Sequence, residues 1–427
     1  MNTAICRAGL YVDDRIGVLW SGAEDEILKQ SVAHTVARLY AAGYSLRDAA
    51  RQAVDLISRA GAPCAVVAVD ASGKSVVESN ARHFPIARGS SSTSPKILIH
   101  PTTVLVLPTL QFFEDSHMVI GNSRYPSTRG HIVAALKLGA SNLFALPLDD
   151  FLHVMNVLHA TAAVLGEYYK VERCALITEG ANKLSIWPLH GLSRDWKPVT
   201  SEVKEFHRTF PGYVSSHDGP MMASAHLDEI CHKIQSVSGL SPPFDNRFDG
   251  PDDDGNLFAR IIRGQLPQWR IWEDEDHVAF LTPFANAEGF TVLVPRAHLS
   301  SDIFAIEPLS YTNLMKAAHK VAGFLTQAFG IQQCGMIFEG FEIDYAHVKL
   351  IPIHAASETS DDPLEAVEPF HETYQGYVSS LSGPITQDLP ALGRAAQALR
   401  RLMPTDISNA LSTSTIVRAP KEPEYGH

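Results

Sequence analysis

Cysteine is scarce in this 427-residue chain, and the little there is forms no pattern. Cys6, Cys64, Cys174, Cys231 and Cys334 are odd in number and scattered, with no Cys-x-x-Cys pair. That argues against a thiolate zinc site and for reduced, buried thiols in a cytoplasmic protein. Positive charge is also in short supply: 35 Lys and Arg against 47 Asp and Glu leave a net charge of -12. Non-specific nucleic-acid binding is thereby disfavoured. No apolar run approaches the roughly 18 residues of a membrane span. The stretch from Met1 to Ala8 lacks a basic flank followed by an apolar core, so no secretory signal is expected. The expectations are a soluble cytoplasmic protein without nucleic-acid or membrane partners, and with no motif for a metal or cofactor.

What is present is a duplication. Glu114-Asp115 and Gly130 recur as Glu273-Asp274 and Gly289, 159 positions on. Phe144-Ala145, His159, Cys174 and Glu179-Gly180 recur as Phe304-Ala305, His319, Cys334 and Glu339-Gly340, 160 positions on. Pro188, His190, Phe206-His207 and the run Gly212 to Ser216 recur as Pro352, His354, Phe370-His371 and Gly376 to Ser380, 164 positions on. So long a period suits a whole domain, not a solenoid unit. Each copy is then a control for the other: differences at a candidate site say which copy retains chemistry.

Two breaks divide the chain. Gly89 to Pro95 is small, polar and closed by proline, and reads as a linker. Ser236 to Gly255 holds Pro242-Pro243, Gly250-Pro251 and three consecutive aspartates. The expected segments are 1–88, 97–240 and 256–403, with a frayed tail from about Pro404. In the first segment a helix is expected from about Ala23 to Ala42. A second should start at Ser45, with Asp48 three residues on as in a capping box, and strand-like stretches flank the pair.

Ala8 to Asp13, Ile16-Gly17-Val18, Ser21-Gly22, Ala41 to Ser45 and the apolar strand Ala65 to Asp70 carry a resemblance. The first segment resembles the C-terminal half of the plant-type asparaginase / isoaspartyl peptidase family, the β subunit of an N-terminal-nucleophile (Ntn) hydrolase. That family exposes a threonine nucleophile by self-cleavage and holds the substrate carboxylate with an arginine and an aspartate. Here the chain starts at Met1, past the positions the family uses for them. Ser21-Gly22 stands where the family has a substrate-binding Thr-Gly. One hydroxyl without a nucleophile cannot form an acyl-enzyme, so a truncated, non-catalytic scaffold or partner surface is expected.

The third segment runs through Phe258 to Pro267, Glu273-Asp274 and Glu288 to His298. A helix is then expected from Leu309 to Phe329, with Leu314, Ala317, Ala318, Val321 and Leu325 on one stripe. A strand, Ile343 to Pro352, closes it. This order resembles the histidine-triad (HIT) superfamily over about 256–355, and more weakly over about 113–190. The resemblance implies an α+β fold of two tandem antiparallel-sheet domains after a partial Ntn-hydrolase-like segment. It also implies a nucleotide-like ligand, attacked at its α-phosphate by the middle histidine of a His-x-His-x-His strand.

By motif position His347 matches that nucleophile, while Tyr345 and Lys349 replace the flanking histidines. Strand alternation puts Tyr345, His347 and Lys349 on one face and Ala346, Val348 and Leu350 on the other, which packs on the core. A neutral imidazole attacks phosphorus competently, Lys349 can hold charged equatorial oxygens, and Tyr345 can orient through its hydroxyl. His354 is expected near the same mouth. In the first copy Lys183 takes the nucleophile's position. A protonated ammonium is a poor nucleophile but can bind an anion, so 97–240 reads as a degenerate copy. Ser379 and Ser380 are candidate ligand contacts, or else the shared stretch preserves packing. His159 and His319 read as core or boundary residues within helices, not as ligands.

The expected activity is nucleotidyl hydrolysis or transfer through His347. The alternatives are a non-catalytic binding protein, and a small-molecule enzyme that recruited the pocket with His347 as general base. The two copies are expected to pair within the chain, or the protein forms a homo-oligomer.

Overall fold

The computed structural model describes residues 10–22, 31–59, 64–72, 75–80, 83–90, 93–101, 106–137, 142–193, 195–354, 367–384, 386 and 388–404. The chain divides into two compact units, Met1–Leu105 and Val106–His427. Both mix helices with antiparallel sheet, so the fold class is α+β.

In the first unit, β1 (Leu10–Val12), β2 (Ile16–Gly22), β3 (Cys64–Asp70) and β4 (Ser75–Ser79) pair in that order. Alternation along β2 buries Ile16, Val18 and Trp20. Helices α1 (Val32–Ala41) and α2 (Leu46–Arg59) cover that face through Val36, Ala49, Ala53 and Ile57. The Ser45 expectation holds: Ser45 Oγ accepts from the Asp48 amide at 3.1 Å and donates to its carboxylate at 2.6 Å. The expected start of the first helix lies outside the described residues. Ser21 sits on the exposed side of β2. The segment read as a linker behaves differently. β5 (His83–Ser90) and β6 (Thr93–Pro101) form a hairpin in which Ser90 pairs with Thr93. Serine and threonine fit a strand end as well as a linker, so composition did not separate the two.

The second unit is built on one ten-stranded sheet. Its strands are β7 (Gln111–Glu114), β8 (Met118–Asn122), β9 (Ile132–Leu136), β10 (Cys174–Thr178) and β11 (Lys183–Pro188). The second repeat adds β12 (Trp269–Glu273), β13 (His277–Leu281), β14 (Thr291–Pro295), β15 (Cys334–Phe338) and β16 (Val348–Pro352). The order is β12-β13-β14-β16-β15-β10-β11-β9-β8-β7, a palindrome of the two repeats. They join where β10 runs antiparallel to β15, and Ile177 faces Ile337, its counterpart 160 residues on. A local two-fold axis passes through that pair. Even the bulge repeats, between Gln111 and Phe113 in one copy and Arg270 and Trp272 in the other.

One sheet face carries α3 (Leu148–Tyr169) and α6 (Pro308–Phe329), with α4 (Ser224–Ser238) beside β12 and α7 (Leu389–Leu402) beside β7. His159 of α3 packs edge-on against Tyr311, and His319 of α6 against Phe151, so each histidine meets the other repeat's helix. His159 is buried in the core and His319 half-buried at its boundary, which fits the expected core or boundary placement. The opposite face is crossed by two arms, 196–222 and 367–384. His207 of the first arm bridges to Ala287 of the second repeat, and His371 of the second arm bridges to Thr128 of the first. The arms meet at Ser215 and Ser379. The repeated Gly-Tyr-Val-Ser-Ser run is therefore the crossing point of two exchanged arms. Cys64, Cys174, Cys231 and Cys334 are buried free thiols. Among the described residues no helix is long and apolar enough to cross a membrane.

The Glu-Gly pair common to both repeats has a backbone cause. Gly180 sits at φ +80°, and a Cβ there would lie 2.0 Å from the Cys334 carbonyl oxygen. Gly180→Ala is expected to destabilise the second unit by about 3 kcal/mol. Gly323, in the interior of α6, has nothing within 4 Å of a built Cβ. Gly323→Ala should instead stabilise by about 0.5–1 kcal/mol. Urea titrations of both variants read the opposite signs directly; equal signs would remove the backbone explanation.

Candidate functional site around His347

The expected strand Ile343 to Pro352 is shorter in the structure: β16 covers only Val348–Pro352, so Lys349 alone of the three candidates lies in it, while Tyr345 and His347 sit in the irregular chain just before it. Val348 and Leu350 enter the core beneath α6, while Tyr345 joins a separate cluster on the opposite face. That second face does not meet water. Short helix α5 (Leu257–Ile262) covers its start, and the exchanged arms cover its end. His347 is 3% exposed and Lys349 6%.

His347 lies with its ring edge-on to Phe258, centroids 5.3 Å apart. Its Nδ1 is 2.7 Å from the Tyr345 carbonyl oxygen. A carbonyl can only accept, so Nδ1 carries the proton and Nε2 keeps the lone pair. Burial, reinforced by the Lys349 charge, pushes the imidazole down to about 4. The ring is neutral near pH 7.

Tyr345 does not act through its hydroxyl. That group donates to the Pro295 carbonyl at 2.8 Å, and the ring stacks on His298 at 4.6 Å. The expected orienting role belongs to its main-chain carbonyl. Hydrogen bonding sends the phenol to the nearest free buried acceptor, which the sequence did not reveal.

Lys349 is not a free cation. Its Nζ lies 3.2 Å from Glu342 and 3.6 Å from Glu339. Burial works to lower its pKa, but the two carboxylates outweigh it and raise the pKa, keeping the ammonium charged. It lines a cleft of about 290 Å³ with Ser216, His217, Asp218, Glu339, Glu342 and Tyr374. His217 stacks on Tyr377 at 4.0 Å, and its buried Nδ1 has no hydrogen-bond partner. Burial lowers its pKa against the pull of Glu205, Glu368 and Asp218.

The remaining candidates lie elsewhere. His354 bonds the Glu288 carbonyl through Nε2 at 2.8 Å and packs edge-on against Phe329. It lines a different cleft, with Glu205, His207 and Tyr213. Lys183 donates to the Ser380 carbonyl at 3.3 Å. Ser379 Oγ donates to Glu368 at 2.5 Å, and Ser380 Oγ donates to Glu179 at 2.6 Å while accepting from the Val214 amide. These hydroxyls are committed to the arm crossing, which favours the packing alternative over ligand contact. The Lys349 charge reaches the His347 imidazole, but of the two only Lys349 lines the cleft, and His354, Ser379 and Ser380 lie elsewhere. Sequence reasoning missed Phe258, His217, Glu339 and Glu342. Of these Glu339 enters the sequence only as the repeat partner of Glu179 and Phe258 only as the start of the run to Pro267, neither with a role at the site.

Residues 263–356 match the HIT domain family model. The HIT match contains His347, Lys349 and the whole of β16. A second model, Asparaginase, matches residues 2–99. Among solved structures, a HIT family protein from Bacillus anthracis is 27% identical over 24% of this chain and 75% of its own, with a TM-score of 0.22. A uridylyltransferase is 12% identical over 75% of this chain and 100% of its own, with a TM-score of 0.37. An ADP-glucose phosphorylase from Arabidopsis thaliana, solved with bound ADP-glucose, is 9% identical over 64% and 91%, with a TM-score of 0.35.

Proposed function

We propose that the HIT-matching part of this chain processes a nucleotide or another phosphorylated conjugate, with His347 as nucleophile. Its Nε2 lone pair forms the bond to phosphorus while the bond to the leaving group breaks, and the leaving group departs with that electron pair. Water or another acceptor then attacks phosphorus and restores the neutral imidazole. The observation that carries this reading is the hydrogen bond from His347 Nδ1 to the Tyr345 carbonyl. It fixes the tautomer that an attacking imidazole needs. Lys349 is the group to hold the equatorial oxygens, and a phosphate would take the place of Glu342, whose side chain is 37% exposed. Residues 97–240 serve in this reading as a degenerate copy and 256–403 as the working one.

A second reading has its own support. Asp218, Glu339 and Glu342 crowd the cleft around Lys349, an environment that disfavours a phosphate. It favours a protein that binds a non-phosphorylated small molecule, or works on one with His347 as base. A base held near pKa 4 is weak at neutral pH, which ranks this reading below the first.

Intact-mass measurement of the wild type and His347→Ala, incubated with dinucleotides and nucleotidyl sugars, tests the proposal. A nucleotidyl adduct or product in the wild type alone supports nucleophilic catalysis. Binding without adduct or product across the panel transfers support to the second reading.

A further inference from the structure

We infer that the first repeat carries a binding site for a divalent transition-metal cation, made by His117, His153 and Asp115 with Asp150 beside them. This site is far along the sheet from the His347 strand and independent of the proposed chemistry there.

Two elements build it. Asp115 and His117 occupy the tight turn between β7 and β8, and Asp150 and His153 stand three apart, on one face of the first turns of α3. The donor atoms of Asp115, His117 and His153 all lie within 4.8 Å of one another. The two imidazoles lie tilted against each other with centroids 4.2 Å apart. His153 Nε2 is 2.7 Å from Asp115 Oδ2, and His117 Nε2 is 3.2 Å from Asp150 Oδ1.

The outer contacts leave these atoms facing inward. Asp115 Oδ1 is occupied by the amides of His117 and Met118 at 2.7 and 2.8 Å, so Oδ2 remains for a cation. His117 Nδ1 sits 2.9 Å from Ser116 Oγ, a contact that directs Nε2 to the cluster. Lys137, the nearest ammonium, is tied to Glu114 and to the Asp115 main-chain oxygen. The four side chains are between 20% and 39% exposed, so an ion can enter from solvent. Two imidazoles and two carboxylates suit zinc, cobalt or nickel, whereas calcium and magnesium prefer all-oxygen sets. Tetrahedral metal bonds of about 2.0–2.2 Å hold donors about 3.4 Å apart, so the wider separations must close and the 2.7 Å His153–Asp115 contact must open, shifts that part-exposed side chains can make.

The second repeat is the control. Its matching positions are Asp274, Asp276, Ser310 and Asn313, which offer no imidazole. The cluster is therefore not part of what the duplication preserves for folding.

The test uses the full chain, stripped with a chelator and titrated with cobalt(II). Visible d–d bands saturating at one equivalent, and discharged by zinc(II) but not by calcium or magnesium, are expected. The double variant His117→Gln/His153→Asn should lose that equivalent, with an unchanged circular dichroism spectrum. Equal cobalt binding by wild type and double variant would overturn the site. Should the double variant misfold, X-ray absorption on the zinc-loaded wild type decides: two imidazole ligands support the site and fewer refute it.

Discussion

His347→Ala is expected to lower any nucleotidyl turnover by at least about 1000-fold, the scale seen when an attacking residue is deleted. The pH dependence is the more specific result. The His347 imidazole is pushed down to about 4 by burial and by Lys349, and only its neutral form has a lone pair to donate. Turnover by the wild type should therefore stay level from about pH 8 to about pH 5, and fall as pH drops through about 4. A histidine at its ordinary value would already lose activity near 6.5. An inflection near 6.5 that vanishes in His347→Ala would mean that the ring works in open solvent. The same depressed pKa sets a sign for stability. The unfolded chain binds this proton more readily, so the contribution is complete above about 6.5 and is lost as pH falls through about 4.

Glu273→Ala is expected to destabilise the second unit by about 3–5 kcal/mol, a loss of roughly 10 °C in melting temperature. Arg270 and Arg296 are both fully buried, and both bond the same carboxylate oxygen of Glu273, at 2.5 and 3.0 Å. They also donate to the carbonyls of Asp245, Arg247 and Ile262, pinning the proline-rich stretch before α5. Without Glu273 two guanidinium groups remain buried with no counter-charge of comparable burial. The first repeat supplies the comparison. Gln111, Glu114 and Lys137 occupy the same three positions, with Glu114 bonded to both neighbours but 49% exposed. Glu114→Ala should barely move the melting curve. Similar shifts for the two variants in differential scanning calorimetry would show that burial is not what makes Glu273 matter.

This pair also marks where reading the sequence stopped. Glu114 and Glu273 were recognisable as repeat partners, yet nothing local distinguished a buried ion cluster from a surface one. The stretch from Ser236 to Gly255 looked like a break because its prolines, glycine and aspartates resist regular structure. That it is held down depends on arginines 25 to 51 residues further along. The candidate site divides in the same way. Within β16 alternation separates Lys349 from Val348 and Leu350, since side-chain direction in a strand is a local property, but Tyr345 and His347 lie before the strand and owe their placement to tertiary packing. Where the Tyr345 hydroxyl pointed, and that Lys349 was already paired, followed from Pro295, Glu339 and Glu342 and could not be read from spacing.

The α+β class followed from the resemblance to the histidine-triad superfamily; the sequence by itself determined the duplication, the helices at Ser45 and Leu309, and the alternation along β16. These rest on period, caps and turn residues acting over a few positions, or on direct identity between copies. Only the tertiary structure decided that the repeats share one sheet across β10 and β15, and that their arms exchange. It alone put His347 beneath Phe258 and gathered His117 and His153 at one place. Each of these joins residues from different elements, where the covering partner is chosen by complementarity of buried area and charge in three dimensions, and periodicity along the chain carries no record of that choice.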